Sequence, residues 1–241
     1  RSLKDFVGQD EALGDVLKQA VQDDRLPSLI LWGPPGCGKT SFAHCVANAT
    51  RCQFRSLSAA KVGVAELREE LSRAAGNLKL RNLRTILFVD ELHRWSKAQQ
   101  DALLLDCERG TIVLIGATTE NPSFSLNNAI LSRCRLVVFG KLKSEAIGEV
   151  LRRAVEEDSQ LKGIEITASA LQLLCQAADG DARVALNSLE LAVSMASGKT
   201  SCVDEEAVRA AIQNRRALYD RNGDFHYDLI SALHKSLRGG S

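Results

Sequence analysis

At 241 residues the chain has room for one large domain or two small ones, and it can bury a core without disulfides or metals. Hydrophobic residues make up 45% and charged residues 25%, the ordinary balance of a soluble globular protein. Lys and Arg number 31 against 30 Asp and Glu, a net charge of +1. That balance excludes a global electrostatic pull toward nucleic acid and leaves only a local basic patch open.

The seven cysteines are odd in number, and no two stand at CxxC spacing. Neither a disulfide framework nor a zinc site follows from them, and they read as small apolar side chains in a reducing compartment. No apolar run reaches the ~20 residues of a membrane span and no signal peptide opens the chain. The expectation is an intracellular protein, working in the nucleus if eukaryotic or in the cytoplasm or nucleoid if bacterial.

In chain order, Ala12, Leu13, Val16, Leu17, Ala20 and Val21 recur at helical spacing. Residues 28–32 (SLILW) then form a short, nearly continuous apolar run of the kind found in strands buried on both faces of a parallel sheet. Directly after it comes Gly33-Pro34-Pro35-Gly36-Cys37-Gly38-Lys39-Thr40, followed by a helical stretch to Ala49. This is the phosphate-binding GxxxxGK[ST] pattern in its required context, strand before and helix after. Glycines let the loop turn its N–H groups toward phosphate oxygens, and the helix start adds its positive dipole end. Lys39 brings a charge to the β and γ phosphates of ATP, and the Thr40 hydroxyl serves Mg²⁺, with Ser41 following in the first helical turn.

Residues 53–57 are a weaker strand candidate, and 85–89 (TILFV) a strong one ending in Asp90-Glu91. Carboxylates at the C-terminal end of such a strand stand where open α/β sheets bind ligands. Asp90 would hold Mg²⁺, and Glu91 would act as general base toward water. A solvated strand end is the bland alternative for the pair taken alone. The phosphate loop decides between them, because phosphoryl transfer needs a metal-holding carboxylate opposite the loop.

Residues 111–115 (TIVLI) give the next strand, ending at Gly116-Ala117-Thr118-Thr119-Glu120-Asn121. A polar side chain here could orient water near the γ-phosphate, Thr119 first and Asn121 second, against the alternative of a plain threonine-rich turn. Residues 136–139 (LVVF) form the last strand. Beyond Lys141 the strands stop, and 142–158, 167–178, 181–196 and 203–214 read as helices punctuated by Gly163, Gly180 and Gly198. The alternation predicts a doubly wound α/β domain with a five-stranded parallel sheet over 1–140 and a small all-helical domain over 141–241.

Several segments together resemble one family. Phe6-Val7-Gly8-Gln9, the loop at 33–40 and Asp90-Glu91-Leu92-His93-Arg94 look like AAA+ ATPases of the clamp-loader and Holliday-junction-motor clade. Residues 116–124 (GATTENPSF), 131–135 (LSRCR), Gly180-Asp181-Ala182-Arg183, Leu218-Tyr219-Asp220 and 230–236 (ISALHKS) are similar to the RarA/MgsA and Werner helicase-interacting protein family. The resemblance covers essentially the whole chain. It implies that Val7 and Gly8 lie beside the adenine and that Thr119 senses the γ-phosphate. It also implies that Arg133 is an arginine finger reaching a neighbouring subunit, and that Arg183 touches the nucleotide from a helical lid.

The activity implied is a DNA-stimulated ATP hydrolase at stalled replication forks or single-strand/duplex junctions. It would work as a homo-oligomeric ring closed by a C-terminal domain beyond this chain, with replication or helicase partners and no membrane. A clamp-loader subunit and a non-catalytic nucleotide-binding scaffold are the alternatives. For Arg133 and Arg183, surface ion pairing is the bland reading. Lys79, Arg81 and Arg84, or Arg152 and Arg153, are the candidate basic strips for DNA, against ordinary solvated helix faces. The sequence departs from the family at Trp95-Ser96, where Phe-Asn is usual, and at Leu105, where proline is usual. Those positions predict local repacking and leave partner contacts on that helix in doubt.

Overall fold

The computed structural model describes residues 3–159, 161–196 and 202–214, with Lys4 described by its main chain only. The chain divides between Lys143 and Ser144 into two compact units.

In the first unit, α1 (Asp10–Gln22) precedes β1 (Leu29–Trp32), α2 (Lys39–Ala49), β2 (Gln53–Ser58) and α3 (Val64–Arg81). Then come β3 (Thr85–Asp90), a 3-10 turn at Leu92–Arg94, α4 (Lys97–Glu108) and β4 (Ile112–Thr118). Two single-turn helices, α5 (Pro122–Ser125) and α6 (Asn128–Leu131), lead into β5 (Arg135–Val138). The five strands pair in parallel in the order β2-β3-β4-β1-β5. All their C-terminal ends therefore share one edge.

Alternate side chains of the central strands feed two cores. Leu29, Leu31, Ile86, Phe88, Val113 and Ile115 pack with α1 and α2 on one face. Ile30, Leu87, Val89, Ile112 and Leu114 pack with α3 and α4 on the other. Burying each such side chain contributes roughly 1.5–3 kcal/mol, so strands covered on both faces are apolar along their length, as 29–32 and 86–89 are. The edge strand departs from that rule. Residues 136–139 are as apolar as the central runs, yet Leu136 and Val138 are 46% and 52% exposed on β5, which has a strand neighbour on one side only.

β4 also runs further than its apolar run predicts, through Gly116 and Ala117 to Thr118. Gly116 is a strand residue, where the sequence suggested a strand end. A Cβ there would come within 2.5 Å of Leu92 Cδ2 and 3.0 Å of Ile30 Cδ1, so the missing side chain lets the 3-10 turn pack over the sheet.

The second unit contains α7 (Ser144–Glu157), α8 (Ala168–Ala178), α9 (Ala182–Ala196) and a helix at 205–214, here α10. Buried Ile147, Leu151, Leu174 and Leu189, with Ala170, Ala185 and Ala192, form its interior. The Thr167 hydroxyl caps α8 by accepting from the Ala170 N–H, and Asp181 caps α9 by accepting from the N–H groups of Arg183 and Val184. Each such cap stabilises by about 1 kcal/mol. One detail differs from expectation. Two-residue strands β6 (Glu165–Ile166) and β7 (Cys202–Val203) pair in parallel, so the last helix starts after Val203, the residue from which it was expected to run. Among the described residues no helix is long and apolar enough to cross a membrane.

Candidate functional site

The strand order places three loops side by side at the C-terminal edge. β4 lies between β3 and β1, so the turn after Thr118 sits between the Asp90-Glu91 end and the loop after Trp32. Open parallel sheets bind ligands at this edge.

The loop at 33–38 is shaped by groups distant in sequence. A Cβ on Gly33 would collide with the Phe139 carbonyl and come within 2.8 Å of Phe139 Cβ. Gly36 and Gly38 take φ of 64° and 100°, conformations that disfavour any residue with a Cβ. A Cβ on Gly38 would also lie 3.1 Å from Phe6 Cζ. Phe6, Phe42 and Phe139 form a tilted aromatic cluster with centroids 5.7–6.2 Å apart, which backs the loop.

Gln9 completes the frame. Its buried side chain donates to the Cys37 carbonyl at 3.2 Å and the Gly140 carbonyl at 2.8 Å, and accepts from the Gly140 N–H at 3.1 Å. It ties the Val7-Gly8 segment, the phosphate loop and the end of β5 together. Gly8 itself takes φ of 83°.

Lys39 is 9% exposed, and its ammonium donates to the carbonyls of Gly33 and Pro34 at 2.7 Å each. It also approaches Cys37 Sγ at 3.8 Å. Burying an ammonium against neutral carbonyls is costly, so an anion at the loop gains strongly from it. The N-cap of α2 is Gly38, which supplies no side-chain acceptor to the helix start, leaving the first-turn N–H groups of Lys39, Thr40 and Ser41 for an incoming phosphate.

On the neighbouring strand end, Asp90 Oδ1 accepts from the Glu91 N–H at 3.1 Å. Glu91 adopts φ of 54° and ψ of 43°, a left-handed conformation that costs a residue with a Cβ ~1 kcal/mol or more. Its carboxylate pairs with Arg94 Nε at 2.6 Å. Thr119 is exposed just beyond the end of β4. Asn121, the second choice for orienting water, is the N-cap of α5 and accepts from the Ser123 N–H. That capping role accounts for its side chain.

Arg133 lies beyond α6 and is ion-paired. Its Nε donates to Glu108 Oε1 at 2.6 Å, Nη2 meets the same oxygen, and Nη1 donates to the Ala129 carbonyl at 2.9 Å. Its side chain is 40% exposed. Arg183 stands exposed in the first turn of α9 in the second unit. Of the candidate basic strips, Arg84 pairs with Asp24 and Arg153 with Glu149. Leu218-Tyr219-Asp220 and 230–236 lie outside the described residues.

The departures at 95–96 have local roles. Trp95 is 3% exposed within the α3–α4 core, and Ser96 with Gln99 forms a capping box at the start of α4. Leu105 is 51% exposed.

No disulfide joins the described cysteines. Burial pushes Cys107 up to about 11 and Cys134 up to about 12, so both stay protonated and unreactive at neutral pH. Sequence reasoning did not assign roles to Gln9, His93, Thr118 or Glu108, whose partners are set by the tertiary fold. The signal available for Gln9 and His93 was their place within the motifs at 6–9 and 90–94.

The sheet order, the glycine-shaped loop with its buried lysine and the adjoining acidic strand end define an AAA-type P-loop ATPase domain. The family model of the ATPase family associated with various cellular activities (AAA) matches residues 29–142, and that of the AAA C-terminal domain matches 159–238. The chain carries both of these AAA domains, and over nearly its whole length it is similar to replication-associated recombination protein A and to ATPase WRNIP1.

It is 45% identical to replication-associated recombination protein A of Haemophilus influenzae, covering 100% of this chain and 55% of that protein. It is 41% identical to ATPase WRNIP1 of Dictyostelium discoideum, covering 98% of this chain and 30% of that protein. The chain thus spans about half the length of the bacterial relative and less than a third of the amoebal one. Among solved structures, the Thermotoga maritima RuvB Holliday junction branch migration motor is similar in fold, with a TM-score of 0.71 and 26% identity over 88% of this chain and 71% of that one. A point mutant of the same RuvB gives a TM-score of 0.73 at 24% identity, over 88% of this chain and 72% of that one.

Proposed function

We propose that this chain binds ATP with Mg²⁺ on the loop at 33–40 and hydrolyses it. The observation that carries the reading is the buried Lys39 ammonium, held in a loop that only glycines can form and set on the same sheet edge as Asp90, Glu91 and Thr119. Lys39 neutralises the β and γ phosphates, while the first-turn N–H groups of α2 donate to their oxygens. The Thr40 hydroxyl and the Asp90 carboxylate are the hard oxygen donors that would hold Mg²⁺. When bound, the ion would supply charge neutralisation to the phosphates. Glu91 takes the proton of the attacking water, for which its pair with Arg94 must open. Thr119 orients the terminal phosphate, and the Val7-Gly8 segment lines the base.

Two roles reach beyond the first unit. Arg133 serves as a finger for the site of an adjacent copy in a ring, leaving Glu108 to do so. Arg183, in the first turn of α9, is the second unit's candidate for contact with a nucleotide. The name of the bacterial relative, replication-associated recombination protein A, supports a role in DNA replication and recombination, and the proposal extends it to stalled forks or single-strand/duplex junctions inside the cell, with replication or helicase partners. Phosphate release measured with and without forked or gapped DNA tests this reading. Stimulation by DNA is the expected result. Turnover that needs a sliding clamp would favour a clamp-loader subunit, and nucleotide binding without release would favour a scaffold.

A further inference from the structure

Thr118 closes β4 with a hydroxyl in a residue only 1% exposed. A buried hydroxyl without partners is costly, and this one has three. Its Oγ1 accepts from the Glu120 N–H at 3.1 Å, lies 3.2 Å from the Glu120 carbonyl, and lies 3.0 Å from His93 Nδ1. The His93 side chain is itself 9% exposed, with Nε2 3.8 Å from Glu120 Oε1.

One proton assignment satisfies the Thr118 hydroxyl in full. With His93 donating from Nδ1, the Thr118 hydroxyl is free to donate to the Glu120 carbonyl while accepting twice. His93 sits in the 3-10 turn that begins directly after Glu91, so this contact joins the end of β3 to the end of β4. Thr119 stands between Thr118 and Glu120, both members of the same cluster, and its backbone is therefore fixed by the clasp on either side.

We infer that His93 and Thr118 are positioning residues that clasp the γ-phosphate sensor Thr119 to the segment carrying Glu91. A terminal phosphate at Thr119 and the base aimed at it are then set by one rigid unit, and the loss of either partner uncouples them. The inference rests on the reading of this site as one that hydrolyses ATP. A purely structural staple would instead lower stability and leave the response to the γ-phosphate unchanged.

The test is a double-mutant cycle in the chain as it stands, with His93→Ala, Thr118→Val and the double variant, plus His93→Asn as the conservative replacement. Thr118→Val keeps the branched shape in a strand, so the fold should persist, and thermal melting checks that it does. Two readouts are taken: kcat with KM, and the ratio of affinities for a non-hydrolysable ATP analogue and ADP.

Each single variant should lower kcat about tenfold or more with KM changed by less than about threefold, the pattern of a contact that matters in the transition state. The analogue-to-ADP ratio should fall about threefold to tenfold, the scale of one hydrogen bond. The double variant should be no worse than either single one, because both remove the same contact, and His93→Asn should recover part of kcat. Additive losses, or a lowered melting temperature with an unchanged affinity ratio, overturn the inference while hydrolysis stands. A wild-type chain that neither releases phosphate nor distinguishes the analogue from ADP overturns the hydrolysis reading, and the clasp with it.

Discussion

The phosphate loop and the Arg133 segment lie at opposite edges of one sheet, after β1 and before β5, and they are built differently. The loop is finished within the chain: Gln9, Phe6, Phe139 and the glycines leave it one shape, and Lys39 is buried inside it. Arg133 is 40% exposed and parked on Glu108, an ion pair of the kind that contributes little to stability in water. One region is preorganised by the core, whereas the other is held by a contact cheap enough to exchange. On the proposed reading, binding is a property of a single copy and turnover a property of two.

The sharpest way to break that comparison is Arg133→Ala. An arginine finger is worth about 10³–10⁵ in turnover and little in ground-state binding. The expected outcome, measured by phosphate release and nucleotide titration, is a collapse in kcat with affinity retained. Equal losses in both would place Arg133 in its own subunit's binding site.

Glu91→Gln comes next, with turnover lower by about 10²–10⁴-fold and ATP bound normally, since the amide keeps the shape and loses only the base. Lys39→Ala should act on the other quantity. Removing charged hydrogen bonds worth about 1.5–3 kcal/mol weakens ATP binding ~10–100-fold, as titration calorimetry would read. Near-normal affinity would overturn the loop assignment.

Gly33→Ala is the mildest and tests preorganisation itself. The new methyl meets the Phe139 backbone, so stability should fall by about 1–3 kcal/mol in denaturant titration. Unchanged stability would mean that the loop is not held by that contact.

How much of this was legible in the sequence follows from the range of each signal. The central strands 29–32 and 86–89 and the loop 33–40 are written locally, because burial on both faces demands nearly unbroken apolar runs and phosphate contact demands glycine. β5 misleads for the same reason. Its run is as apolar as the others, but edge position is a property of strand order, which no local pattern encodes. β6 and β7, two residues each, are too short for any periodicity.

Gly116 reads as the start of a turn until Leu92 is seen packed over it. The partners of Gln9 and His93 stand 131 and 25 residues away, so their roles emerge only when the chain is folded. Asn121 shows the converse. Its type suited water orientation, but the helix that starts beside it took its side chain.

The division between a self-sufficient loop and a borrowed arginine is tested most directly by mixing two inactive variants. Arg133→Ala keeps an intact phosphate site and lacks the finger, while Lys39→Ala keeps the finger and lacks the site. Phosphate release is followed as their ratio is varied at constant total protein, at concentrations where wild-type copies associate. The account predicts a maximum at intermediate ratios, above the sum of the two alone, because Arg133 of one copy completes the site of the other. A mixture that never exceeds that sum would contradict it.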